Sequence, residues 1–140
     1  MEFDSGILII LRGINLNKNA EPEDMVSIRM WIDSERIITM QRRNLKAVFD
    51  VKDSIEAGKI IKSSGEFLYN LLYQVLFVTS SFLYGLSEEL DEIEKKIITT
   101  HDIKFREKVL QIRTQTATFK RYLIPQKEAI QRAFKKVHLW

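Results

Sequence analysis

The sequence predicts an α+β fold: a small antiparallel or mixed sheet of about three strands, then a short helix, then a long antiparallel helical hairpin. Three observations predict it. Short β-branched apolar runs and a two-residue alternation fill the first third of the chain. After about residue 63 the apolar residues recur every three or four positions instead, over two long stretches. Charge also changes sign between those stretches: residues 1–102 hold 12 Lys/Arg and 17 Asp/Glu, residues 103–140 hold 10 and 2. With 140 residues, 45% of them apolar and 29% charged, the chain can bury the core of one domain and does not read as disordered.

Gly6-Ile7-Leu8-Ile9-Ile10-Leu11 is short, continuous and β-branched, closed by Gly13 and a polar loop from Asn15 to Asp24. It reads as a buried strand. From Met25 to Ile32 the residues alternate, with Val26, Ile28, Met30 and Ile32 forming a wholly apolar face suited to one side of a sheet. Asp33-Ser34-Glu35 reads as a turn into a strand from Arg36 to Met40, so the two runs form an antiparallel hairpin. Asn44 is the expected N-cap of a short helix carrying Leu45, Val48, Val51 and Ile55, and Gly58 its expected stop.

Ser63 and Glu66 have capping-box spacing and open the first long helix. Phe67 to Ser87 carries no charge and is long enough to cross a bilayer. Two features argue against a span. Asn70, Gln74 and Ser81 share a face, and Leu83, Leu86, Leu90, Ile93 and Ile97 step by three and four into a charged region, as a seam in water does. Thr99-Thr100-His101-Asp102 breaks the pattern, and Phe105, Val109, Ile112, Thr116, Phe119 and Leu123 resume it. The chain therefore divides into a sheet subdomain, 1–62, and a hairpin, 63–140, with arms of about 63–99 and 103–137. Pro125 is expected to kink the second arm or begin a new helix, with Ala129, Ile130, Ala133, Phe134 and Val137 beyond it. Acids on the first arm (Glu88, Glu89, Asp91, Glu92, Glu94) face bases on the second (Lys104, Arg106, Lys108, Arg113, Lys120, Arg121), which gives the basic excess a structural reading rather than a nucleic-acid one.

No catalytic or cofactor residues emerge. There is no cysteine, and His101 and His138 are the only histidines, too few for a tight zinc site. Glu21, Glu23 and Asp24 lack the spacing of a calcium loop and read as solvated, as does the acidic helix face. The chain is read as no enzyme, with no resident cofactor and the metal-site residues unknown. The N-terminus MEFDSG is not a signal peptide.

Leu11-Arg12-Gly13-Ile14-Asn15-Leu16-Asn17, followed by the segment Pro22 to Trp31, resembles the cytoplasmic domain of CorA-type divalent-cation transporters, closest to their zinc-transporting, ZntB-like branch. Glu35-Arg36-Ile37-Ile38, Arg42-Arg43, Leu45 to Asp53, Leu90 to Glu94 and Arg121 to Ala129 continue the resemblance in order. It implies an internal piece of a membrane transporter of zinc or magnesium, on the cytoplasmic face, acting in funnel assembly and gating rather than conduction. It also implies a homopentamer for the whole protein, held by a stalk and C-terminal membrane helices that this chain lacks. The piece alone is expected to be a soluble monomer or weak dimer. The alternative is a soluble helical scaffold that binds a partner without transport.

Overall fold

The structure, a computed structural model, describes residues 1–100 and 102–137, the last by its backbone alone. His101 and His138 lie outside the described residues. Four strands, β1 (Glu2–Phe3), β2 (Gly6–Gly13), β3 (Val26–Ile32) and β4 (Ile37–Gln41), precede three helices, α1 (Lys46–Glu56), α2 (Ser64–Thr99) and α3 (Ile103–Val137). The sheet is an antiparallel meander in the order β1-β2-β3-β4. It has four strands where the sequence predicted about three. The extra one, β1, pairs only Glu2 with Ile7 and Phe3 with Gly6, too short to leave a periodic signal. Gly6 is needed there for room: a Cβ would sit 2.6 Å from the Ile32 carbonyl oxygen and 2.7 Å from the Trp31 ring.

Val26, Ile28, Met30 and Ile32 are all buried, as their alternation requires, and face the same core as Ile7, Ile9 and Leu11. Leu68, Leu71, Leu72 and Val75 of α2 complete that core, with Leu45, Ala47 and Val51 from the α1 region and Ala133 from α3. At the β3–β4 turn the Asp33 carboxylate accepts from the Glu35 and Arg36 amides, the Arg36 Nε and the Trp31 Nε1, at 2.9–3.1 Å. These donors, the Glu35 amide foremost, outweigh desolvation and pull its pKa from 3.8 to about 2.

The expected cap of α1 is corrected. Leu45, not Asn44, is the N-cap, and no side chain caps the helix. Burial decides it: Leu45 lies 2% exposed beneath β2, where a Cβ on Gly13 would come within 2.5 Å of its Cδ1. Asn44 serves instead through its carbonyl, which accepts from Asn17 Nδ2 at 3.0 Å. Gly58, at φ 103°, ends α1: its amide bonds the Ile55 carbonyl and the Lys59 amide bonds that of Ser54. Ser63 caps α2 by accepting from the Glu66 amide at 3.1 Å, while Glu66 reaches back to the Lys62 amide at 2.8 Å.

α2 is the one described helix long and apolar enough to cross a membrane. One face of its uncharged stretch is sunk in the sheet core through Leu68, Leu71, Leu72 and Val75. The opposite face is not the plain polar stripe expected from Asn70, Gln74 and Ser81, since Tyr69, Tyr73 and Phe77 stack along it in the open, at 6.3–6.5 Å between ring centroids. Of the two outcomes expected at Pro125, the start of a new helix is corrected: α3 is continuous from Ile103 to Val137, with the proline inside it.

Candidate functional site

The residues that join the hairpin to the sheet form an organised polar site. Asn15, 1% exposed, anchors the loop after β2. Its Nδ2 donates to the Asp24 carbonyl at 2.9 Å, and its Oδ1 accepts from the Asn17 amide and Asn17 Nδ2 at 3.1 and 2.8 Å. The loop thus folded presents Ile14 and Met25 to Phe119 of α3, around which Val78, Phe82, Leu83, Leu86, Tyr122 and Leu123 close a second hydrophobic cluster. Phe82 meets Phe119 edge-on at 5.6 Å. Glu23, read from the sequence as solvated, is half-buried here and accepts from Gln115 Nε2 at 3.1 Å. Asp24 and Glu21 are exposed, as expected.

A second contact lies about three helical turns beyond Gln115 along α3. The Gln126 side chain, 7% exposed, pairs with the backbone of Arg12 as a neighbouring strand would: the Arg12 amide donates to Oε1 at 2.6 Å, and Nε2 donates to the Arg12 carbonyl at 3.0 Å. The Arg12 guanidinium lies 4.6 Å over the Tyr122 ring. Sequence reasoning missed Gln115 and Gln126. The signal was present: the inward stripe Phe119, Leu123 continues by steps of three and four to positions 126, 130 and 133, so a glutamine at 126 is a polar group at a core-facing position and needs partners.

The far end of the hairpin is looser. Ile93 is buried, while Leu86, Leu90, Ile97, Phe105 and Val109 are half-buried. Of the opposed charges, Glu89 and Lys108 meet at 3.0 Å, both still about two-fifths exposed. Glu88 and Glu92 are exposed. Among the described residues, no three of His, Asp and Glu converge so as to hold a metal ion.

The fold is an antiparallel meander from which a two-helix arm projects, locked to the sheet through the Leu11 to Asp24 segment. The chain belongs to the CorA family: the family model described as CorA-like Mg2+ transporter protein matches residues 1–140. It is 37% identical over 123 residues to the divalent cation transporter CmaX of Pseudomonas aeruginosa, covering 87% of this chain and 37% of that protein. It is 32% identical over 127 residues to the zinc transport protein ZntB of Pectobacterium carotovorum, covering 91% and 38%. The chain therefore spans well under half the length of these relatives. Its fold superimposes on the full-length CmaX structure with a TM-score of 0.83 at 34% identity, over 91% of this chain and 39% of that one. The crystal structure of the ZntB cytoplasmic domain from Vibrio parahaemolyticus matches with a TM-score of 0.84 at 25% identity, over 96% of this chain and 53% of that one.

Proposed function

We propose that this chain is part of the cytoplasmic domain of a divalent-cation transporter, with zinc ahead of magnesium as cargo, and that it acts in assembly and gating rather than conduction. The observation that carries the reading is the match, over 96% of the chain, to a structure described as the cytoplasmic domain of ZntB. Packing of α2 into the sheet core supports a place at the cytoplasmic face of the membrane rather than within it, because a helix whose Leu68, Leu71, Leu72 and Val75 are held by a sheet cannot turn that face to lipid. Five copies would surround the ion path in the whole protein, while the chain alone would be a monomer or weak dimer. Gating of this kind needs two conformations that differ in metal affinity. No catalytic step is assigned.

The test is a chimera in which this chain replaces the matching segment of ZntB, reconstituted in vesicles with a zinc-sensitive dye. The chimera should assemble and restore regulated flux to a ZntB lacking the segment. Equal assembly and flux with and without the segment would refute the reading. A second reading, a partner-binding scaffold, has one observation in its favour: Tyr69, Tyr73, Leu76, Phe77 and Tyr84 are each 47–67% exposed on α2.

A further inference from the structure

The chain holds α3 to the sheet differently on the two sides of Pro125. Before the proline, Phe119, Tyr122 and Leu123 belong to the cluster built on Ile14 and Met25. After it, Ile130 and Ala133 belong to the main core under the sheet. Pro125 sits between the two clusters, inside the helix. It has no amide hydrogen, so the Arg121 carbonyl loses its donor four residues on, and the helix is weakest at that point. A single residue of β2 bridges the weak point. Arg12 is gripped by the Tyr122 ring on one side of the proline, through its guanidinium, and by the Gln126 amide on the other, through its backbone.

The edge that Gln126 covers is a strand edge. Met1 bonds the amide and carbonyl of Leu8, each at 2.9 Å, and Gln126 bonds those of Arg12. By the two-residue period of a strand, Ile10 faces the same edge between them. A groove runs along it, walled by Ile7 to Ile10 on the sheet and by Ala129, Arg132 and Ala133 on α3.

We propose that the part of α3 beyond Pro125 is a hinged strap over the edge of β2, latched by the Gln126 amide and splinted by Arg12. Unlatched, the strap turns at Pro125, withdrawing Ile130 and Ala133 from the core and Lys136 Nζ from the Phe3 carbonyl, while the rest of α3 stays packed on Phe82 and Ile14 and the Arg12 backbone loses its cover. This rests on the chain's own geometry and stands apart from the transport reading.

The test uses the whole chain, which has no native cysteine, with nitroxide labels at Ser34→Cys in the β3–β4 turn and Lys135→Cys on the strap, both exposed positions. Double electron–electron resonance should give one narrow distance in the parent and a second, longer population in Gln126→Leu, which keeps the bulk and loses both bonds. Pro125→Ala added to Gln126→Leu should shrink that population, because restoring the helical bond makes the strap and the packed part of α3 one rigid piece. In Gln126→Leu, hydrogen exchange at the Arg12 amide should quicken by roughly tenfold or more, while that at Leu11, which faces β3, stays slow. A single unchanged distance in Gln126→Leu overturns the proposal. So does an open population indifferent to Pro125→Ala, or exchange at Arg12 and Leu11 rising together, since that would be global unfolding.

Discussion

One helix, α2, runs through two different environments. Its first half places Leu68, Leu71, Leu72, Val75 and Thr79 at 4% exposure or less, while beyond Thr79 only Ile93 is comparably buried. The residues of the second half are no worse suited to burial, since Leu83, Leu86, Leu90 and Ile97 keep the same three-four spacing. The difference is what they face. In the first half a sheet and a second helix cover the apolar stripe from two sides. Beyond Leu86, past the cluster built on Ile14 and Met25, a single partner helix covers it from one, and two helices touch along a line. Burial here is set by the number of layers, not by the pattern of the sequence.

The largest test falls where the two regions meet. Phe119→Ala should cost about 3–5 kcal/mol in a urea melt, because its ring, 1% exposed, ties α3 to both α2 and the loop after β2. A cost under about 1 kcal/mol would mean that the second cluster is dispensable. The comparison sharpens when one substitution is made twice in one helix. Leu71→Ala, at a fully buried site, should cost about 2–5 kcal/mol. Leu90→Ala, at a half-buried one, should cost about 1 kcal/mol. Equal costs would break the distinction between the halves. Smaller again, Glu89→Gln should cost under about 1 kcal/mol and lose its effect in high salt, as an exposed pair does.

The most local effect is one of acid, confined to the sheet end. The Asp33 carboxylate has a folded pKa of about 2 against an ordinary 3.8, so its contribution is fully present above about 3.8 and is lost as pH falls through about 2. Carboxyl resonances followed by NMR should place its midpoint near 2, with the Glu35 and Arg36 amides moving in step. A midpoint near 3.8 would show that the turn does not hold the carboxylate in solution.

Most of this architecture was legible in the sequence, because periodicity reports burial directly. The alternation of Val26 to Ile32 and the stripes of both long helices are found where the pattern put them. What was not legible depends on partners distant in sequence. Asn44 looks like a cap, yet the demand of Leu45 for space under Gly13 decides where α1 starts. Glu23 looks solvated because its partner, Gln115, lies 92 positions away. Pro125 looks like a kink or a fresh helix start, and stopping the stripe at Leu123 hid the inward position of Gln126.

The pairing of Gln126 with Arg12 also has a consequence for synthesis. The two residues are 114 positions apart. At the usual pace of translation, about 5–20 residues per second, the edge of β2 waits roughly 6–23 s for the side chain that will cover it. During that interval the Arg12 amide and carbonyl lack the partner that Gln126 will supply, next to a second nascent chain on the same message. A backbone edge would pair with any extended neighbour, whereas a single amide on a helix pairs only where α3 docks. Completion of the sheet by a late side chain therefore makes the order of emergence from the ribosome part of the folding problem, and makes crowded polysomes the setting in which variants at Gln126 should misassemble first.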